Sequence, residues 1–577
     1  MNKFAKTIAF VLAAATTVFS FTACNNSNNS PKSTKSILYV NTRDAGIGSD
    51  FLEEFKQAFE KKYAETSFET GKMGVDVQTD ASRNNEGAAL ISNIANSMYS
   101  VSIVEAMNYA DFMPSQLLLD ISKTVKEDLD DGSGSIYSKI DDMTKAYLET
   151  YDGKIYATPW LSGFEGLTYN AELFKDKKFY FADENGLTPF AKSSYTGAAY
   201  TGRGFIKADT DKKSCGPDGV YGTYDDGLPS SYEEFFYLMD YMVEKGVTPM
   251  IRRGGDTHYI NYLFQSLLVN YSGAEETSYN FSFDSKGKTA NIVTGFNGEE
   301  PIVEKTVITE ENGYLMRQQE GRYYASKFLT KLFKDESKYF HSTCATSALT
   351  NLDAQTLFYE TGLNQNYDIA MLIEGNYWYN EAKTARESAV SRYGENAKNR
   401  DLRYMSLPSI EVGTINEGEG KPVALADGLY HFIVVNNNIK DDPVKVKLAT
   451  EFLKFCYEDS TLQMFTMSTG LPVSVTYDLT DEQYNSMDKY YQSLWDSYSA
   501  SVNGKNYLSP LGGSKIFISN WVTFGFSTAS QFYTSTVNGK SYETAKSTIK
   551  DGISLKDFFN GMSISKSSWD TAYNIYG

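Results

Sequence analysis

The stretch "ATPWLSGFEGLTYNAELF", residues 157 to 174, sets Trp160, Phe164 and Tyr169 around two glycines, with the carboxylate of Glu165 among them. A second run, "MLIEGNYW", brings Glu374, Asn376, Tyr377 and Trp378 together. Two carboxyl groups can divide glycoside hydrolysis between an acid and a nucleophile or base, so Glu165 and Glu374 form a candidate pair. Their sequence positions leave the separation open, and the chain offers 73 acidic residues from which such a pair could arise by chance. Other chemistries lack their parts. His258, His341 and His431 are scattered, with no H-E-x-x-H and no second histidine at zinc spacing. There is no Walker loop, "TGRGFI" lacks the third glycine of a dinucleotide fingerprint, and Ser162 sits in no G-x-S-x-G elbow. These residue types point to recognition without turnover.

The bulk of the chain agrees. Its 577 residues exceed one core and imply several domain-sized units. A net charge of −19 excludes a nucleic-acid partner, which needs clustered cations. Aromatics make up 14% of the chain, including 43 tyrosines, so flat faces carrying hydroxyls are abundant. "KADTDKKSCGPDGVYGTYDDG" collects Asp209, Asp211, Asp218, Asp225 and Asp226 as hard oxygens, which raises a structural Ca²⁺ beside the plainer reading of an Asp/Gly turn. The spacing is not that of an EF-hand, because Val220 stands where the bidentate glutamate belongs. No other cofactor is expected.

The N-terminus carries an address. Lys3 and Lys6 precede "IAFVLAAATTVFSF", which runs into "FTAC" at Cys24. A charged start, a short apolar run and a small residue describe an export signal, too short for a spanning helix of ~20 residues. The end of the run resembles the lipobox of bacterial lipoproteins, although Phe21 stands where that motif more often has leucine. It implies a signal peptide over 1–23 and a lipidated Cys24, followed by a polar tether over 24–36. Two or three acyl chains anchor firmly where one does not. The remaining Cys215, Cys344 and Cys456 are too few for a disulfide framework, and Cys456 shares a helix face with Phe452.

The candidate residues need elements to hold them. "ILYVN", "VDVQT" and "VSIV" read as buried strands. Between the first two lies a helix with Phe51, Phe55 and Phe59 on one face, so parallel βαβ units open the chain. "LPSSYEEFFYLMDYMVEKGVTP" is a helix capped by Ser230 with Glu233 closing a capping box, and Gly246 ends it. "DIAMLIEG" and "GLYHFIVV" are further buried strands, the second enclosing His431 as a satisfied core histidine. Asp442 caps the helix that Pro443 opens. Residues 176–227 and 271–313 read as irregular insertions, and the Asn-Gly pairs of "SVNGKNY" and "TVNGKSY" suggest hairpin turns.

"KIYATPWLSGFEGLTYNAELF", "LPSSYEEFFYLMDYMVEKGVTP", "DIAMLIEGNYW", "YMSLP", "ALADGLYHFIVV" and "KLATEFLKFCYEDSTLQMFTMSTGLPVSV" occur in this order. The ordered set resembles the extracellular solute-binding proteins (family 1, maltose-binding-protein-like) of bacterial carbohydrate ABC importers, over most of 37 to 475. The two insertions and the tail after 475 exceed that family's usual length. The resemblance implies an α/β, two-lobed periplasmic-binding-protein-like fold of type II with three interlobe crossings. They are placed near "TPWLSGF", "ALADGLY" and "TGLPVSV". Lobe 1 would take 37–158 and 429–470, and lobe 2 would take 159–428 and 471–577.

It also implies a monomer on the extracytoplasmic face of the cell membrane that captures a sugar or oligosaccharide and hands it to permease subunits. An affinity near micromolar, about −8 kcal/mol, suits capture with release. Rings cover the C–H faces of a sugar while carboxylates and amides ring its hydroxyls. On this reading the ligand meets Trp160, Phe164, Glu165, Glu374, Asn376, Tyr377 and Trp378. Asn41, Arg43 and Asp44 face them from the other lobe, with Asp427 and Tyr430 beside the second crossing. Duller roles stay open: a tryptophan beside a proline can plug a lobe interface, and a glutamate after a strand can cap a helix. The same scaffold also serves other solutes such as peptides, and a surface glycan hydrolase is the third class.

Overall fold

The computed structural model describes residues 33–43, 46–81, 87–105, 107, 109–183, 203–255, 258–364, 366–427, 431–508 and 552–576. Cys24, Asp44, Tyr430 and "TVNGKSY" lie outside them. In chain order the strands are β1 (Ser36–Thr42), β2 (Val75–Ala81), β3 (Val101–Val104), β4 (Ala157–Pro159), β5 (Glu165–Asn170) and β6 (Thr248–Ile251). There follow β7 (Thr289–Asn297), β8 (Glu300–Val307), β9 (Ile369–Gly375), β10 (Leu402–Met405), β11 (Leu425–Ala426), β12 (Phe432–Val435) and β13 (Tyr507–Leu508).

Two sheets organise the chain. The first has order β2-β1-β3-β12-β4. β1 runs parallel to β2 and β3, while β12 returns antiparallel between β3 and β4. The Asp50–Lys62 helix joins β1 to β2 and buries Phe51, Leu52, Phe55 and Phe59, as the spacing predicts. Its partners come from much later in the chain. Phe51 meets Phe465 edge-on at 5.1 Å and Phe59 meets Phe452 at 5.1 Å, so the Pro443–Cys456 and Asp459–Thr469 helices complete this core. Cys456 is buried there, and Asp442 caps its helix through the amides of Val444 and Lys445.

The second sheet has order β10-β5-β9-β6. β9 is buried at every position and lies parallel to β6 but antiparallel to β5. The Tyr232–Glu244 helix begins one residue later than predicted: Ser231 accepts from the Glu234 amide, and the Glu234 carboxylate reaches back to the amide and hydroxyl of Ser230. The side chain that reaches back is therefore Glu234, not Glu233.

Residues 271–313 are regular, not an irregular insertion. The His258–Ser282 helix is broken at Gly273 (φ 79°), and β7 and β8 pair as an antiparallel hairpin. A glycine was required at that break because an L side chain rarely adopts such a φ. "SVNGKNY" is no hairpin either. Its first residues end the Lys489–Asn503 helix, and Tyr507 then starts β13. Several carboxylates of the aspartate-rich loop have protein partners. Asp209 pairs with Lys178, Asp211 accepts from the amides of Lys207 and Ala208, and the buried Asp225 accepts from Thr223 and the Asp218 amide. Among the described residues no group of three or more His, Cys, Asp or Glu side chains could hold a metal ion. No described helix is long and apolar enough to cross a membrane.

Between the sheets the chain passes through 160–164, again between β11 and β12, and again after Thr469. These segments run side by side. The Trp160 amide donates to the His431 carbonyl, Ser162 to Pro472 and Ser474 to Trp160, while Leu161 bridges Val473 and Phe164 bridges Asp427.

Candidate functional site

The strand ends decide what faces what. β1 and β3 run parallel and finish at the same edge, delivering Asn41, Arg43 and Glu105. β12 is antiparallel to β3 with Phe432 opposite Val104, so His431, which precedes it, emerges at that edge too. In the second sheet Glu165 opens β5 opposite Gly375, the last residue of β9, so Glu165 and Glu374 share one edge. Carboxyl ends of strands are where open α/β sheets place ligands, because the loops there are free of ladder constraints.

The two edges meet. A Cβ built on Gly46, in the loop after β1, would lie 3.4 Å from the Tyr377 ring. A Cβ on Gly163 would lie 3.2 Å from His431 Cε1. Exposed Lys383 reaches Asp50 across the gap at 3.1 Å. Such a surface pair is worth well under ~1 kcal/mol, so it registers the lobes without locking them.

On the second lobe the half-buried Tyr377 stands beside Tyr262 of the His258–Ser282 helix, hydroxyls 3.5 Å apart. The charges of Glu165 and Glu374 both reach these two hydroxyls. Glu374 is 3% exposed, accepts from Gln355 Nε2 at 3.0 Å and from the Gly375 amide, and has Tyr259 at its side. Burial pushes its pKa up to about 8, the Gln355 bond opposes that, and the Glu381 charge adds to it. Glu165 is held through its backbone, the carbonyl accepting from Ser266 and Tyr404, while its half-buried carboxyl has no side-chain partner among the described residues. Burial, with the charge of Asp427 nearby, raises it to about 8 as well. Both acids are therefore largely protonated at neutral pH, each able to donate and to accept.

Facing them, Arg43 pairs with Glu105 at 3.4 Å. The buried Asn41 Oδ1 and His431 Nδ1 have no hydrogen-bond partner among the described residues. Burial, and then the Arg43 charge, lowers His431 to about 4, so its ring is neutral. This corrects the reading of His431 as a satisfied core residue: it sits at the mouth of β12, not inside it. Buried polar atoms are rarely left unpaired without a reason, and a ligand is one.

Four expected ligand contacts are structural instead. Trp160 is 1% exposed and packs against Phe55, Phe465 and Tyr457. Trp378 is fully buried, its Nε1 donating to Thr168 Oγ1 at 3.0 Å and its ring lying against Phe358 and Tyr490. Phe164 is buried against Tyr404. Asp427 is buried at the crossings, where it accepts from the Gly163 amide, Ser474 and Tyr507. Each occupies a lobe core or the junction between lobes, so its side chain serves the frame. Asn376 is divided: Nδ2 donates to the Ser162 carbonyl at 2.8 Å, while Oδ1 is buried without a partner among the described residues.

Tyr259, Tyr262, Glu105 and His431 stand at these edges without having been singled out as ligand contacts from the sequence. Tyr259 and Tyr262 sit three apart at a helix start, a spacing that puts both on one face. That signal was visible in "HYINYLF", but nothing local told it from an ordinary core stripe.

No protein-family model and no curated protein matches the chain. Solved structures do. A chitin oligosaccharide binding protein superposes with a TM-score of 0.50 at 14% identity, covering 93% of this chain and 99% of its own. The GacH receptor of Streptomyces glaucescens, studied unliganded and with acarbose, gives 0.50 at 15% over 94% and 100%. The cyclic α-maltosyl-1,6-maltose binding protein of Arthrobacter globiformis gives 0.50 at 11% over 93% and 100%. The fold is that of the two-lobed solute-binding proteins. The edge built from Asn41, Arg43, Glu105 and His431 meets the edge built from Glu165, Glu374, Tyr377 and Tyr262 between the two sheets.

Proposed function

We propose that this chain is a solute-binding protein that captures a sugar or oligosaccharide in the interlobe cleft and turns nothing over. One observation carries the reading: the sheet edge that holds the Tyr262 and Tyr377 hydroxyls with Glu165 and Glu374 meets the edge where Asn41 Oδ1 and His431 Nδ1 are buried without a partner among the described residues. A polyhydroxylated guest offers a donor and an acceptor at every hydroxyl and satisfies such a mixed set. Contacts to both lobes exist only when the cleft is closed, so binding shifts the population to the closed form. The names of the structural neighbours, which bind oligosaccharides, support the same class.

Transport completes the proposal. Lipidated at Cys24, the protein would stay at the extracytoplasmic face of the membrane and present its closed form to an ABC permease. Labelling with a radioactive fatty acid should mark the wild-type chain and not Cys24→Ala. A thermal-shift and calorimetric panel of saccharides, amino acids and peptides tests the ligand class. Stabilisation by saccharides alone is expected, whereas stabilisation by peptides alone would transfer the scaffold to another solute.

Hydrolysis is disfavoured by the electrostatics. A glycosidase pair divides acid from base by environments that push the two pKa values apart. Glu165 and Glu374 are pushed the same way by the same cause. Product analysis after long incubation with the bound sugar should show it intact.

A further inference from the structure

The tail after 475 is tied to all three crossings between the sheets. It supplies the Lys489–Asn503 helix and β13. The Tyr507 hydroxyl joins the first crossing to the second: it bonds Ser162 Oγ and, at 2.5 Å, Asp427 Oδ2. The Asp427 amide donates to the Leu508 carbonyl at 2.8 Å, so backbone and side chain of β13 hold the same residue. At the third crossing the Tyr498 hydroxyl lies 2.8 Å from the Val473 carbonyl and 3.0 Å from that of Val475. The Tyr491 ring covers the start of that crossing, where a Cβ on Gly470 would lie 2.1 Å from it. Tyr498 and Tyr507 meet edge-on at 5.4 Å, so the ties share one packed body. Asp427 is buried, and a carboxylate there that lost its phenol donor would gain no water in exchange.

We propose that the tail is a brace that favours the conformation in which the two sheet edges meet, with Tyr507 and Tyr498 as its positioning residues. Parting the lobes bends the crossing segments and shifts them against one another and against whatever is fixed behind them. In the conformation described, Gly46 lies against the Tyr377 ring and Lys383 pairs with Asp50 across the gap. In that same conformation Tyr507 bonds two crossings at once and Tyr498 bonds the third. Bonds made with the edges together, and stretched or lost when they part, bias the equilibrium toward the first state. Neither tyrosine belongs to either sheet edge, so the bias acts through the frame and not through contact with a ligand. Such a brace follows from the two-lobed fold alone and holds for any class of ligand.

The experiment uses the full chain with Cys24→Ala, Asp50→Cys and Lys383→Cys, the last two being exposed partners on opposite sides of the gap. Cys215, Cys344 and Cys456 are buried, so a short bis-maleimide joins the introduced pair, at a rate that follows the time the edges spend together. No ligand is added. Tyr507→Phe keeps the ring, removes the hydroxyl and should slow the joining about three- to tenfold. Tyr498→Phe should slow it too, and decides the matter if urea unfolding shows Tyr507→Phe to be unfolded. Tyr484→Phe removes a bond to Asp496 inside the tail and should leave the rate within about twofold. Unchanged joining in the folded Tyr507→Phe and Tyr498→Phe proteins overturns the brace. Equal slowing by Tyr484→Phe does the same, since the tail would then act by ordinary packing. Faster joining overturns it as well, because the tail would be holding the lobes apart. None of these results bears on the saccharide panel, so the two readings fail separately.

Discussion

The hydroxyls of Tyr262 and Tyr377 lie 3.5 Å apart, one on a helix start and the other just past a strand end, each within reach of the Glu165 and Glu374 charges. Both rings are only partly buried and pack against the edge of the core. Tyr377→Phe should weaken saccharide binding about three- to tenfold by removing one hydrogen bond. Tyr377→Ala should cost more than tenfold, through loss of the ring, with little change in melting temperature. Calorimetry alongside thermal unfolding checks both; unchanged affinity in the alanine variant would remove Tyr377 from the site.

The two buried tryptophans behave differently. Trp160→Ala and Trp378→Ala each leave a large cavity in a packed aromatic cluster and should lower stability by about 3–5 kcal/mol. Urea unfolding followed by circular dichroism measures this. A Trp160→Ala protein as stable as wild type would contradict the packing described around it.

Asp427 ties the crossing segments together: its Oδ2 accepts from Tyr507 at 2.5 Å and its Oδ1 from the Gly163 amide at 3.1 Å. Asp427→Ala strands buried donors and should cost about 1–3 kcal/mol. Because Tyr507 belongs to the long tail, the same variant should speed amide hydrogen exchange in β11 and β13, which among the described residues form a two-stranded sheet. Exchange unchanged at those strands would show that the tail is held elsewhere.

Stability should depend on pH in a stated direction. Burial raises the folded-state pKa of Glu165 and Glu374 from the ordinary 4.5 to about 8, so the folded state holds more protons between those values. Stability therefore falls as pH rises from about 4.5 and levels off above about 8. His431, lowered to about 4 from 6.5, acts oppositely below 6.5, where stability falls as pH falls. Between about pH 6.5 and 8 the His431 contribution is constant, and other carboxyls raised by burial, Asp225 foremost, act in the same direction as Glu165 and Glu374. Urea midpoints across that window should decline in the wild type and decline less in Glu165→Gln. A rising midpoint would refute the assigned environment.

Much of the frame was legible in the chain. Phe51, Phe55 and Phe59 announce their helix because a period near 3.6 is a local property, and "VSIV" and "IAMLIEG" announce buried strands because both faces of such strands exclude water. The strip around Glu165 and the run at the end of β9 come to one sheet edge, which places Glu165, Glu374 and Tyr377 there. Sequence could not divide each run between ligand and core. Trp160 and Tyr377 carry the same aromatic signal, yet one is sealed by Phe55, Phe465 and Tyr457 and the other stands at the lobe junction.

Only the fold brings His431 beside Gly163, or Tyr262 beside Tyr377, across more than a hundred residues of chain. Side-chain types and their spacing fix local shape, since neighbours along the chain always feel each other. Which polar groups lose water and which find partners is decided by what the return of distant segments places next to them. For Asn41 Oδ1 and His431 Nδ1 that return removes solvent without supplying a partner among the described residues, and no local sequence pattern announces it.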